Sequence, residues 1–111
     1  MDKMVVIWAS GDRDVALKTV FMYTLNAKAQ DWWKEVNLII WGPSAKLLAQ
    51  DDELQVEIKK LKNAGVKIFA CKTCSDSYQV SVNLNRVGVQ VQFMGLPLTQ
   101  FLKSDCKVLT F

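Results

Sequence analysis

Short apolar runs alternate with longer amphipathic stretches along this chain. Three of the runs are too short for helices, and their largely continuous apolar character predicts strands buried on both faces of a sheet. They span residues 3–9, 35–41 and 66–71, and two further strands are predicted at residues 89–94 and 107–111. Helices are predicted between the strands, at residues 12–30, 44–50, 51–62, 73–87 and 98–105. Strands that alternate with helices predict one three-layer α/β/α domain over residues 1–111, built on a parallel sheet.

The first predicted helix carries more apolar residues than one sheet face covers. Leu17, Phe21 and Leu25, with Val20 and Thr24 beside them, form a stripe with the helical period. A second set lies on another side of the helix: Val15, Ala16, Met22 and Tyr23. Two alternatives account for this set, namely contact with another subunit or cover by neighbouring loops.

Parallel α/β sheets bind ligands at the carboxyl ends of their strands. The candidate site residues are those expected at this edge: Ser10, Gly11, Trp41, Gly42, Ser44, Cys71, Lys72, Thr73, Cys74, Met94 and Gly95. Trp8, at the end of the first strand, is expected beside them. Ser10, Gly11 and Ser44 lie at predicted helix starts, where free backbone N–H groups favour a small anion.

Composition narrows the class of protein. The net charge is only +3 and basic residues are interleaved with acids, which argues against a nucleic-acid partner. No segment approaches the ~18 apolar residues of a membrane span. The apolar run after Met1-Asp2-Lys3 is too short for a signal peptide. We therefore expect a cytoplasmic protein, with no membrane partner, whose three cysteines are reduced thiols.

The chain contains no histidine. This excludes Ser-His-Asp and Cys-His catalysis and histidine metal sites. Zinc needs four ligands, which three cysteines do not supply without a carboxylate, so we expect no metal site. The chain also lacks the G-x-G-x-x-G spacing and the Walker phosphate loop, and we expect no cofactor.

Two cysteines stand three residues apart where the third strand meets the next helix. If Thr73 caps that helix, Cys74 is its first residue and Cys71 ends the strand, so the helix start and Lys72 would both favour a thiolate. Persulfide transfer and dithiol redox chemistry both need such a nucleophile with a second thiol nearby. The alternative is that both cysteines pack as small hydrophobes, which we expect for Cys106. A thioredoxin site does not fit, because the pair follows the third strand and the Trp-Cys-x-x-Cys flank is absent.

The chain resembles the DsrE/DsrF-like family along its whole length. The resemblance is carried by the first strand with Ser10-Gly11-Asp12, and by residues 38–48 (LIIWGPSAKLL), 64–66, 70–78 (ACKTCSDSY) and 94–99 (MGLPLT). It implies a five-stranded parallel sheet of order 4-3-2-1-5, a cytoplasmic location, and trimers or hexamers. Under that order, right-handed crossovers leave one sheet face partly uncovered, and assembly would cover it.

The resemblance also implies a function. Family members with known roles act in sulfur oxidation or tRNA thiolation and carry sulfur as a cysteine persulfide at the end of the third strand, which corresponds to Cys71. They have no general requirement for a cysteine at the position of Cys74. The sequence-based hypothesis is therefore a cytoplasmic homo-oligomeric sulfur carrier or sulfurtransferase, with Cys71 as acceptor, Cys74 assisting or resolving, and a sulfur donor or acceptor protein as partner. The alternatives are a non-catalytic oligomeric module that binds a small ligand at the strand ends, or a Cys71/Cys74 dithiol redox switch.

Overall fold

Five parallel strands form one sheet in the order β4-β3-β2-β1-β5. The computed structural model describes residues 2–111. The strands are β1 Lys3–Trp8, β2 Glu35–Ile40, β3 Lys67–Cys71, β4 Gln90–Gln92 and β5 Lys107–Thr110. All four pairings are parallel, so the sheet and its order agree with the sequence-based prediction.

Six helices connect these strands. Helix α1 consists of three consecutive segments, Arg13–Val15, a π-helical segment Ala16–Val20, and Phe21–Ala29. The others are α2 Pro43–Gln50, α3 Asp52–Ala64, α4 Lys72–Ser77, α5 Ser81–Val87 and α6 Gly95–Lys103. None of the helices within residues 2–111 has the length and apolar character needed to cross a membrane.

Local sequence signals fix where several helices begin and end. Asp12 caps α1 by accepting from the Asp14 and Val15 N–H groups, and Asp51 caps α3 by accepting from the Leu54 N–H. Helix α3 ends at Gly65, whose φ of 106° lies in the left-handed region that glycine adopts without strain.

The two faces of the sheet are covered unequally. Side chains alternate along each strand, so Met4, Val6 and Trp8 project to one face, here called the first face, and Val5 and Ile7 to the second. Residues of α1, α2, α3 and α5 pack on the first face and form the main core. On the second face, Leu98 and Phe101 of α6 pack over a small cluster of fully buried residues: Val5, Ile39, Cys71 and Met94. The result is the expected three-layer arrangement, with one thin layer.

Helix α1 buries the centre of the predicted stripe, Val20, Phe21 and Thr24, together with Ala16 from the second predicted set. Ala16, Val20, Thr24 and Ala27 are fully buried, whereas Leu17 and Leu25 are only half-buried. Of the second predicted set, Ala16 is fully buried and Tyr23 is contacted by Trp32 and Trp33 of the loop after the helix, whereas Met22 is 54% exposed.

Three other predicted elements differ from the observed ones. The helix predicted over residues 73–87 is two helices, α4 and α5, separated at Gln79, which has a φ of 61°. The strand predicted over residues 89–94 is paired only at Gln90–Gln92. The turn predicted at residues 95–97 is the first turn of α6, which tolerates Pro97 because first-turn N–H groups have no helical partner.

Candidate functional site

The carboxyl ends of β3 and β4 lie side by side, and the chain leaves them toward opposite faces. After β3 it continues to α5, whose Leu84 and Val87 pack in the first-face core. After β4 it continues to α6 on the second face. Neighbouring strands whose connections diverge open a crevice at their carboxyl ends, and open α/β sheets bind ligands there. The name β3–β4 crevice is used here for this edge of the sheet, where Cys71 ends β3, Lys72 follows it, and Met94 follows β4.

The two cysteines meet in this crevice. Cys71 ends β3 and occupies the N-cap of α4, and Cys74 follows one helical turn later. Both pack in the second-face cluster, together with Trp41 and Met94. Cys71 is 4% exposed and Cys74 is half-buried. The Gly42 N–H donates to Cys74 Sγ, so the end of β2 also contributes to the site.

The environment of Cys74 favours the neutral thiol. Burial raises the pKa of Cys74, the Gly42 N–H opposes this, and the neighbouring Cys71 thiol raises it again. The sequence predicted a thiolate with Thr73 as the helix cap. That cap assignment is wrong: Cys71 holds the cap position, Thr73 is exposed, and Cys74 is the third helical residue rather than the first.

A polar network, which the sequence analysis missed, holds Lys72 at the rim of the crevice. Lys72 Nζ lies 2.6 Å from Asp76 Oδ2, and the Ser81 hydroxyl donates to Asp76 Oδ1 at 2.5 Å. The Lys72 ammonium and the Ser81 hydroxyl keep the pKa of Asp76 below its ordinary value. Lys72 Nζ also lies 5.6 Å from the centroid of the Phe93 ring, on the β4 side of the crevice. The charge of Lys72 is thus already paired with Asp76. The i, i+4 spacing of the two residues at the start of a predicted helix was the sequence signal from which this ion pair could have been predicted.

The predicted anion-binding residues are largely engaged with the backbone. Ser44 is fully buried, and its hydroxyl donates to the Trp8 carbonyl and, at 3.2 Å, to the Trp41 carbonyl. Ser10 Oγ accepts from the Asp12 N–H at 3.1 Å. A cavity of 260 Å³ adjoins Gly11, between Pro43 and Lys46, but it contains no cysteine.

The remaining predicted site residues divide into two groups. Trp41, Gly42, Lys72 and Met94 lie with the cysteines, whereas Thr73 and Gly95 are exposed at the start of their helices. Trp8 lies on the first face, where its ring meets Phe21 edge-on at 4.9 Å, so the two strand-end tryptophans are on opposite sides of the sheet.

Two other features lie away from the crevice. Cys106 is half-buried at the start of β5, and its thiol donates to the Phe101 carbonyl at 3.0 Å. A cavity of 570 Å³ lies at the amino ends of β3 and β4, where Lys62 Nζ donates to the Gly88 carbonyl and Lys67 pairs with Glu35. Lys62 and Lys67 at this cavity already have partners and its lining includes no thiol, so we favour the β3–β4 crevice as the site.

Among residues 2–111, no group of three or more Cys, Asp or Glu side chains is arranged to hold a metal ion.

Comparison with known proteins identifies similar chains. The model of the DsrE/DsrF-like family matches residues 2–111. The chain is similar to the solved structure of a conserved protein of unknown function, BT1422 from Bacteroides thetaiotaomicron, with 37% identity over 99% of this chain and 95% of that chain and a TM-score of 0.96. It is also similar to the YchN protein of E. coli, with 20% identity, complete coverage of both chains and a TM-score of 0.77, a likeness that concerns the fold alone. No curated protein matches the chain.

Proposed function

Because this chain belongs to the DsrE/DsrF-like family, which is linked to sulfur relay, we propose that it is a cytoplasmic homo-oligomeric sulfur carrier that holds sulfur as a persulfide on Cys71. The observation that carries the proposal is the meeting of two thiols in the β3–β4 crevice. A sulfur donor or acceptor protein is the partner that such a carrier requires.

The chemistry needs only the thiols and a persulfide donor, R–S–SH. A cysteine thiolate attacks the terminal sulfur of the donor, the donor S–S bond breaks, and RS⁻ leaves. The sulfur then resides on the protein as Cys71–S–SH. An acceptor thiolate later attacks the same terminal sulfur and restores the Cys71 thiol.

Incubation with inorganic polysulfide followed by intact-mass measurement tests this function. We expect an increment of about 32 Da, one sulfur atom, and peptide mapping should locate it on Cys71. Cys106→Ser is the matched control and should load like the wild type, whereas the double variant Cys71→Ser/Cys74→Ser should stay unmodified. An unmodified wild type, or an increment that persists in the double variant, would reject the proposal.

A second candidate function has an observation in its favour. Cys71 is buried and Cys74 is held as a thiol, and buried cysteines commonly act as small hydrophobes. The crevice would then bind a small ligand without covalent chemistry. In that case polysulfide leaves the mass unchanged, and both cysteines react slowly with iodoacetamide at neutral pH.

The thin second layer supports the homo-oligomeric part of the proposal. Helix α6 supplies most of the helical cover of the second face, with Cys74 of α4 at its margin, and Leu96 and Leu102 of α6 are 68% and 60% exposed. A second copy that packs against α6 would remove these side chains from water, and we propose a trimer or hexamer built in this way. Light scattering after gel filtration tests the interface: Leu102→Glu should reduce the molecular mass, whereas Val82→Glu, at a 62% exposed position of α5, should not. An unchanged mass in Leu102→Glu would contradict this interface.

A further inference from the structure

The two cysteines of the crevice differ in how far an outside molecule can reach them. Cys71 is 4% exposed, because Val5, Ile39 and Met94 surround it in the second-face cluster. Cys74 is half-buried and belongs to the partly exposed margin of the same cluster. Transfer of sulfur requires the terminal sulfur of the donor to contact the attacking thiolate. A bulky donor therefore meets Cys74 before it can meet Cys71.

We infer that sulfur is first accepted by Cys74 and then passes inward to Cys71, so that the two residues act in sequence as an outer and an inner carrier. This inference rests on the proposed function, since it concerns the order of loading at the same site. It gives Cys74, which the family does not generally require, a definite role.

Both steps conserve atoms and electrons. In the first, the Cys74 thiolate attacks the terminal sulfur of R–S–SH, the donor S–S bond breaks, and RS⁻ leaves. In the second, the Cys71 thiolate attacks the terminal sulfur of Cys74–S–SH, giving Cys71–S–SH and the Cys74 thiolate. The transferred sulfur keeps its oxidation state throughout, so no further oxidant or reductant is needed.

The surroundings of the two residues suit these steps. Burial raises the pKa of Cys74, so the first step proceeds through a small thiolate fraction, and the Gly42 N–H partly offsets this at the sulfur atom that the second step releases as a thiolate. Cys71 lies among apolar side chains, which shield a persulfide there from water and from soluble thiols. Three-residue spacing across the start of α4 keeps the two sulfur atoms on the same side of the chain.

A competing reaction would produce different masses. If one cysteine attacks the inner sulfur of the other's persulfide, the S–S bond breaks, HS⁻ leaves and a Cys71–Cys74 disulfide forms. The protein then loses about 2 Da instead of gaining about 32 Da, because two thiol hydrogens are lost. The mass of the full chain therefore distinguishes sequential loading from disulfide formation.

A rapid-quench time course on the full chain tests the order of loading. Glutathione persulfide serves as the bulky donor and inorganic polysulfide as the small one, and peptide mapping follows each quench. In the wild type, we expect sulfur on Cys74 at early times and on Cys71 at late times. In Cys71→Ser the sulfur should remain on Cys74. In Cys74→Ser, loading of Cys71 from glutathione persulfide should slow by about tenfold or more, with a smaller effect for polysulfide.

Cys106→Ser serves as the control and should show the wild-type order and rates. Wild-type loading rates in Cys74→Ser, sulfur that ends on Cys74 in the wild type, or a disulfide as the main product would each overturn sequential loading while leaving a sulfur-handling site. Absence of added sulfur from the wild type and all variants would instead reject the proposed function itself.

Discussion

Replacement of Met94 by alanine measures how much the thin second layer contributes to stability. Met94 is 1% exposed and packs with Val5, Ile39 and Cys71. Truncation removes its side chain beyond Cβ and leaves a void beneath α6. The matched comparison is Leu38→Ala, which makes a void on the first face of β2, where the side chain is 0% exposed beneath the main helical layer.

The two substitutions should lower the free energy of unfolding by different amounts, because the side chains around Met94 can move into the void more easily than those around Leu38. Buried Met→Ala and Leu→Ala substitutions both cost about 2–5 kcal/mol, and the smaller values occur where neighbours relax into the void. The thin layer over the second face, mainly α6, can shift inward, so we expect about 2–3 kcal/mol for Met94→Ala. The interlocked first-face layer cannot shift as a unit, so we expect about 3–5 kcal/mol for Leu38→Ala. Both variants should fold if the chain has the usual stability of about 5–15 kcal/mol.

Urea unfolding followed by tryptophan fluorescence gives these free energies. Chain concentration is held constant, because assembly adds to apparent stability, and the m-value should not change. Met94→Leu should cost less than about 1.5 kcal/mol, and the exposed Val82→Ala should stay within about 0.5 kcal/mol of the wild type. A cost for Met94→Ala equal to or above that of Leu38→Ala would refute the reasoning from unequal layers.

Three further predictions follow from single residues. Asp51→Ala should lower the free energy of unfolding in urea by about 1 kcal/mol, because it removes the α3 cap. Arg13 lowers the pKa of Asp51, so the stabilisation by the Asp51 carboxylate is complete above the ordinary carboxyl pKa and is lost as the pH falls through the lowered pKa. The effect of the substitution should therefore shrink in acid. Gly65→Ala should lower the free energy of unfolding by about 1 kcal/mol or more, since φ at Gly65 is 106° and the added Cβ would lie 3.0 Å from Lys28 Cε. The control Gly95→Ala, whose added Cβ would have no atom within 4 Å, should be neutral or stabilising. Alkylation of Cys74, followed by peptide mass, should be slow at pH 7 and rise about tenfold per pH unit up to its raised pKa; a rate that levels off at the same or a lower pH in the native chain than in the urea-unfolded chain would contradict a pKa raised by burial.

The central strands could be predicted from the sequence because burial on both faces leaves a direct signal. Residues 36–40 of β2 are all buried, which matches their nearly unbroken apolar run. The short edge strand β4 has no such signal, because Val91 alternates with exposed or half-buried glutamines. Its alternation still predicted a strand at residues 89–94, but not its short length. The break between α4 and α5 could not be predicted, since the left-handed residue there is Gln79 and not glycine or asparagine.

The candidate site was predicted in outline but not in its details. Strand ends located Cys71 and Met94 correctly at one edge. The position of Trp8 depended on register: Trp8 pairs with Ile40, so Trp41 lies one residue further along and points to the opposite face. The neutral character of Cys74 depends first on its burial and then on the neighbouring Cys71 thiol, which together outweigh the opposing effect of the Gly42 N–H, and only the folded chain brings these groups together.

The pairing of β5 with β1 has a consequence for the order of folding. The Phe111 carbonyl accepts from the Ala9 and Ser10 N–H groups, so the loop after β1 is fastened by residues nearly the whole chain away. Contacts of such long sequence separation form slowly, because a large loop must close first. The buried residues around the thiols, by contrast, are Val5, Ile39 and Met94, which all precede β5 in the chain. We therefore expect the thiols to reach their native surroundings before the last strand docks, which hydrogen-exchange pulse labelling during refolding would reveal as earlier protection of β3 than of β5.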